Sequence, residues 1–241
     1  MSVVRRRQYL AILMLTPLIV GGSPADETYS YMASLQPPGY RHYCGATLVS
    51  PIWMVTAAHC VEGKNPATMR IRIGSSDRTA GGELAQPLFF VSHPYYTGGD
   101  YDIALIRLAV ASMMRPAPIA AHTLLPSTQV RLLGWGQTCP RLGCARGGPV
   151  ELRQLDTTVI DDSECQDMNG ANELCLAGTT AATACYGDSG GPALVREGGH
   201  WAIAGLTSRG GDDSTTCGTG NAIYTDVTAF EPWIELVTAV Q

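Results

Sequence analysis

Along most of the chain, apolar residues occur in short runs or in alternation with polar ones, separated by clusters of Gly, Pro, Asn, Asp and Ser. That period predicts short strands joined by turns. The stretches 43–49, 53–57, 69–73, 103–108, 130–134, 152–160, 201–207 and 222–227 each fit a strand. So many short strands predict an all-β fold, a sandwich or barrels. Two stretches depart from the pattern. Residues 161–168 open on the paired acids Asp161 and Asp162, which suit a helix N-terminus. Near the end, Thr228 offers a cap, Pro232 falls in a first turn, and Phe230, Trp233, Ile234 and Val237 share helical spacing. The Pro-rich, strand-poor stretch 115–126 is expected to link two halves.

The first eighteen residues follow another pattern. Arg5, Arg6 and Arg7 are adjacent, and 9–20 is then almost wholly apolar, interrupted only by Thr16 and Pro17. A basic start followed by about a dozen apolar residues is a secretory signal pattern, too short for a comfortable membrane span. Residues 1–18 are therefore expected to be a leader, and the processed protein to be secreted without stable membrane association. Eight cysteines agree with an oxidising compartment. The net charge is −5; the leader holds three arginines and no acids, so a chain without it carries −8. Clustered excess base, the footprint of nucleic-acid binding, is absent.

The chemistry concentrates in three segments: Thr56-Ala57-Ala58-His59-Cys60, Asp102-Ile103-Ala104-Leu105 and Gly187-Asp188-Ser189-Gly190-Gly191-Pro192. In this order and at this spacing they resemble the His, Asp and Ser segments of trypsin/chymotrypsin-like serine proteases, and the resemblance runs from Ile19 to the C-terminus. It implies two six-stranded antiparallel β-barrels and a C-terminal α-helix. Residues 19–118 would form a first barrel carrying His59 and Asp102. Residues 119–241 would form a second carrying Ser189, with the site in the cleft between them. A serine hydroxyl needs an adjacent base, imidazole suits that task near neutral pH, and a buried carboxylate holds the imidazole's tautomer. Ser189 is thus expected as nucleophile, His59 as base and then acid, and Asp102 as orienter. The backbone N–H groups of Gly187 and Ser189 would form an oxyanion hole. Protein or peptide substrates follow, with proteinaceous inhibitors as possible partners and a monomer as the expected state. The alternatives are a catalytically silent scaffold of the same fold and an esterase using the same triad.

The resemblance carries further expectations. Ile19-Val20-Gly21-Gly22 is similar to the family's mature N-terminus, whose freed amino group would pair with Asp188 and order the turn carrying Ser189, making the chain a zymogen. Leu18 precedes Ile19 where trypsin-activated relatives have Arg or Lys. Three disulfides are implied, Cys44–Cys60, Cys165–Cys175 and Cys185–Cys217, which leaves Cys139 and Cys144 to pair with each other. The pocket would be built from Thr183 at its floor with Ala184, Ser208, Gly210 and Ala222. A neutral floor cannot compensate a buried cation, so large apolar side chains are expected in preference to Arg or Lys. Arg209 stands where relatives have an aromatic; it either faces solvent or favours acidic residues upstream in the substrate. Asp100 is expected to be a solvated loop charge, and His42 a surface or locally bonded histidine. No cofactor is expected. No metal is expected either, because Ser75 directly follows Gly74 where calcium-binding relatives carry acids.

Overall fold

The computed structural model describes residues 19–39, 41–144 and 147–239. The expected leader, residues 1–18, lies outside them. A two-residue strand, β1 (Ser23–Pro24), comes first. Then β2 (Met32–Gln36), β3 (Cys44–Ser50), β4 (Trp53–Thr56), β5 (Arg70–Ile73), β6 (Glu83–Ala85), β7 (Pro87–Ser92) and β8 (Ala104–Leu108) form one antiparallel sheet in the order β6-β5-β2-β3-β4-β8-β7. Its two edges, β6 and β7, are halves of one stretch interrupted at Gln86. The sheet therefore curls round to meet itself, as six strands would. At the interruption the Gln86 side chain donates to the carbonyls of Pro66 and Met69, tying it to a neighbouring turn.

The second sheet contains β9 (Gln129–Gly134), β10 (Arg153–Ile160), β11 (Glu173–Leu176), β12 (Pro192–Glu197), β13 (His200–Gly210) and β14 (Ala222–Asp226). β9 pairs with both β10 and β12, which closes a ring of six strands. β1 adds to β10 from outside, Ser23 opposite Gln154 and Pro24 opposite Arg153. The start of the described chain thus lies on the second barrel, before the first barrel begins. Among the described residues the fold is all-β with one α-helix, α1 (Glu231–Ala239).

The strands of each barrel turn one face inward. Leu35, Met54, Ile71 and Ile106 share the inward face of the first barrel, and Val130, Leu132, Leu174 and Tyr224 pack in the second. Burying such side chains contributes about 1.5–3 kcal/mol each. The C-terminal segment bridges the halves: Phe230, just before α1, and Trp233 within it pack edge-on against the His93 ring of the first half, at 5.1 and 5.0 Å between centroids.

Two expectations are corrected. Residues 161–168 form no helix, only a 3-10 turn at Asp162–Glu164, with the Asp161 carboxylate accepting from Ser163 N–H. Cys165 leaves that turn extended and buried, bonded to Cys175 of β11, and so cannot continue a helix. At the other end the cap is Asp226, not Thr228: its carboxylate accepts from the Thr228 N–H and hydroxyl at 2.9 and 2.7 Å. Thr228 instead lies inside the 3-10 turn Val227–Phe230 that leads into α1.

Candidate active site

β4 ends at Thr56, and the fully buried Ala57 and Ala58 anchor the 3-10 turn Ala58–Cys60 on the barrel. The Cys44–Cys60 disulfide ties that turn to β3. His59 is thereby held with its ring half exposed. Asp102, two residues before β8, is 3% exposed. Its Oδ1 accepts the His59 backbone N–H at 2.9 Å, and its Oδ2 accepts the ring Nδ1 at 2.7 Å. Ser208 Oγ also donates to Oδ2, at 2.7 Å, and the Thr225 hydroxyl donates to the Asp102 carbonyl at 2.9 Å. Burial pushes the Asp102 carboxyl up, but the bonds and charge of His59, with Ser208, outweigh it and hold the group below its ordinary value. A carboxylate can only accept, so Nδ1 carries a proton, and in the neutral ring Nε2 is the acceptor.

Ser189 sits in a turn whose flanks, Gly187 (φ 98°) and Gly190 (φ 69°), adopt the left-handed region that suits glycine. The turn presses on the first barrel: a side chain on Gly190 would run into the Thr56 hydroxyl and the Gly45 carbonyl. Gly45 N–H donates to the Ser189 carbonyl at 2.8 Å. Ser189 is thus fastened to the β3–β4 hairpin that carries His59. No hydrogen bond joins Ser189 Oγ to His59 among the described residues. In the same turn the N–H groups of Asp188, Gly190 and Gly191 are bonded to backbone carbonyls, whereas those of Gly187 and Ser189 have no partner among the described residues. Two donors, one on each side of Asp188, are thus left outside the fold's own hydrogen bonds.

His42, which nothing in the sequence set apart, belongs to this turn. Its Nε2 donates to the Gly187 carbonyl at 2.8 Å and its Nδ1 accepts from Ser34 Oγ at 2.9 Å. Shielding from water pushes its pKa down to about 4, so the neutral ring holds the Gly187–Asp188 peptide, the one that follows the free Gly187 N–H.

Asp188 is 2% exposed and accepts from Gly136 and Cys185 N–H at 2.8 and 2.9 Å. Burial raises its pKa to about 7 against those two bonds. Side chains on Gly134 or Gly136 would collide with the carboxylate, so both positions are held open for it. Ile19 and Val20 are buried, and Val20 accepts Thr183 N–H at 2.9 Å, docking the segment beside the 183–188 turn. The Ile19 nitrogen is an amide continuous with Leu18. No ion pair reaches Asp188 among the described residues.

Thr183, Ala184, Ser208, Gly210 and Ala222 line one pocket of about 300 Å³ together with Ser189. Tyr186 and Asp212 line it too. Asp212 was unmarked because the loop before Cys217 has no local pattern that reveals where it folds, and Tyr186 because its partner lies in that loop. The Tyr186 hydroxyl donates to the Thr215 carbonyl at 2.8 Å across that loop. The Asp212 carboxylate packs over Gly220 and accepts Ser214 N–H at 3.2 Å. Arg209 departs from both expectations: its guanidinium forks onto the buried carboxylate of Glu173. Asp100 is likewise not simply solvated, since it accepts from Tyr101 N–H and Asn169 Nδ2.

All four disulfides pair as expected. Among the described residues the sulfurs of Cys44 and Cys60 cluster with His59, but they are bonded to each other and offer no thiolate to a metal.

The Trypsin family model matches residues 19–234. The chain is 34% identical over 242 residues to "Trypsin" of Phaedon cochleariae, covering 92% of this chain and 89% of that one. It is 31% identical over 233 residues to "Hypodermin-B" of Hypoderma lineatum, covering 90% and 86%. It is also 32% identical over 238 residues to "Transmembrane protease serine 7" of Mus musculus, of which it spans only 28%. A family match over nearly the whole described chain, and relatives above 30% identity aligned over most of both chains, make this protein a member of the trypsin family, a serine-type endopeptidase.

Proposed function

We propose that the protein is a secreted endopeptidase that cleaves by the triad Ser189, His59 and Asp102 through an acyl-enzyme. His59 Nε2 takes the Ser189 proton as Oγ attacks the scissile carbonyl carbon. The unpaired N–H groups of Gly187 and Ser189 receive the resulting oxyanion. The imidazolium then gives its proton to the departing amine, and a water molecule repeats the sequence on the ester. The grip of Asp102 on both the backbone and the ring of His59, at 2.9 and 2.7 Å, is the observation that carries this reading.

The floor at Thr183 is neutral, and Ala184, Gly210 and Ala222 add apolar wall, which favours Leu, Met, Phe or Tyr before the cleaved bond. Asp212 supports a second reading, in which a basic side chain pairs with the wall. Cleavage before Ile19 would free an amine for the uncompensated Asp188, so the chain is proposed as a zymogen. Reaction with a fluorophosphonate, read by intact mass, tests the nucleophile: one adduct is expected on the enzyme and none on Ser189→Ala. Matched peptides ending in Leu, Phe, Ala, Arg or Glu rank the pocket, and dominant cleavage after Arg would favour Asp212 over the apolar reading.

A further inference from the structure

Asp102 sits between two short segments, each tied to the same turn of the second barrel. On one side, Asp100 accepts from Asn169 Nδ2 at 2.6 Å, and its other oxygen accepts Tyr101 N–H at 2.6 Å. Tyr101, the residue directly before Asp102, holds φ at 58°, a conformation a tyrosine adopts only where its surroundings enforce it. On the other side, Ser208 donates to Asp102, and its neighbour Arg209 forks onto Glu173. Arg209 also donates to the Asp167 carbonyl at 3.0 Å. Glu173 Oε2 accepts Asn169 N–H at 2.8 Å and so joins the two sides.

The contacts form a closed ring, Asp100–Asn169–Glu173–Arg209–Ser208–Asp102, that crosses between the barrels twice. Glu173 is almost fully buried, at 1% side-chain exposure, yet it touches neither His59 nor the pocket. Its charge is placed to hold Arg209 and the Asn169 turn rather than substrate. We propose that Asn169 and Glu173 are positioning residues: they brace Asp102 against His59 from the second barrel by fixing both the left-handed Tyr101 and the Ser208 hydroxyl. The proposal rests on the reading of Asp102 as the residue that orients His59.

A kinetic cycle tests it. Glu173→Gln and Asn169→Ala are each made in the wild-type enzyme and in Asp102→Asn, and kcat and KM are measured on a short activated ester. Asn169 is half exposed and its change is neutral, so it serves if Glu173→Gln folds poorly. In the wild-type background each change is expected to lower kcat about five- to twentyfold with KM within twofold. In the Asp102→Asn background, where nothing is left to brace, the further loss is expected to shrink below twofold. Equal losses in both backgrounds would make the ring a matter of general stability and overturn the proposal. A rise in KM at constant kcat would assign the cluster to substrate binding and overturn it as well. If Asp102→Asn itself kept wild-type kcat, the role of Asp102 would fall, and the brace with it; a brace that fails alone leaves the Asp102 loss intact.

Discussion

Two carboxylates, one in each half of the molecule, are buried to the same depth and behave in opposite ways. Asp102 is 3% exposed and Asp188 is 2% exposed. Asp102 faces an imidazole, a hydroxyl and an amide, and its carboxyl is held below the ordinary range. Asp188 faces two amides and no cation among the described residues, and its pKa rises to about 7. Burial alone penalises both charges; what separates them is a partner able to carry positive charge. The first site is electrostatically complete. The second is a space cleared by two glycines for a carboxylate that no cation meets among the described residues.

Removing the partner that completes the first site should have the largest effect. Asp102→Asn is expected to lower kcat about 10⁴-fold while far-UV dichroism stays unchanged, because the imidazole loses its tautomer rather than its place. A loss of less than tenfold would erase the contrast between the two carboxylates.

The second site is sharpened by pH. A raised folded pKa means that the stability Asp188 allows is fully present below its ordinary value of 3.8 and is lost as pH climbs to about 7. The unprocessed chain, held inactive by Ser189→Ala, should therefore lose about 4 kcal/mol from this group across that window in urea unfolding. A chain beginning at Ile19 should lose much less, since its free amine can pair with the carboxylate. Asp188→Asn should abolish the difference between the two forms. His42 titrates in the opposite sense, its contribution being lost as pH falls from 6.5 to about 4. It is common to both forms and cancels in their difference.

Smaller changes probe the two sites. Gly136→Ala would push a methyl group into the Asp188 carboxylate and is expected to destabilise the fold by about 1–3 kcal/mol. Thr225→Val removes the hydroxyl that bonds the Asp102 carbonyl and should cost about 1 kcal/mol in thermal unfolding. Because that bond reaches the backbone and not the carboxylate, kcat should stay within about threefold of wild type.

What the sequence determined by itself is what local pattern can encode. Short apolar runs placed β3, β4, β5, β8, β9, β10, β13 and β14, but not β1, β2, β6, β7, β11 or β12. The turn around Ser189 was legible because its backbone angles suit glycine, and the His59, Asp102 and Ser189 segments carried their chemistry in a few adjacent residues. Even the cysteine pairs were legible once those segments were aligned. Tertiary structure decided the rest. The helix expected after Asp161 is a single turn because Cys165 is drawn out to reach Cys175. His42 finds Gly187 across 145 residues, Asn169 finds Asp100 across 69, and Arg209 finds Glu173 across 36. No local periodicity records such pairings. They arise only when closing two barrels brings distant polar groups into a space without water, where each must find a partner or carry the cost of burial alone.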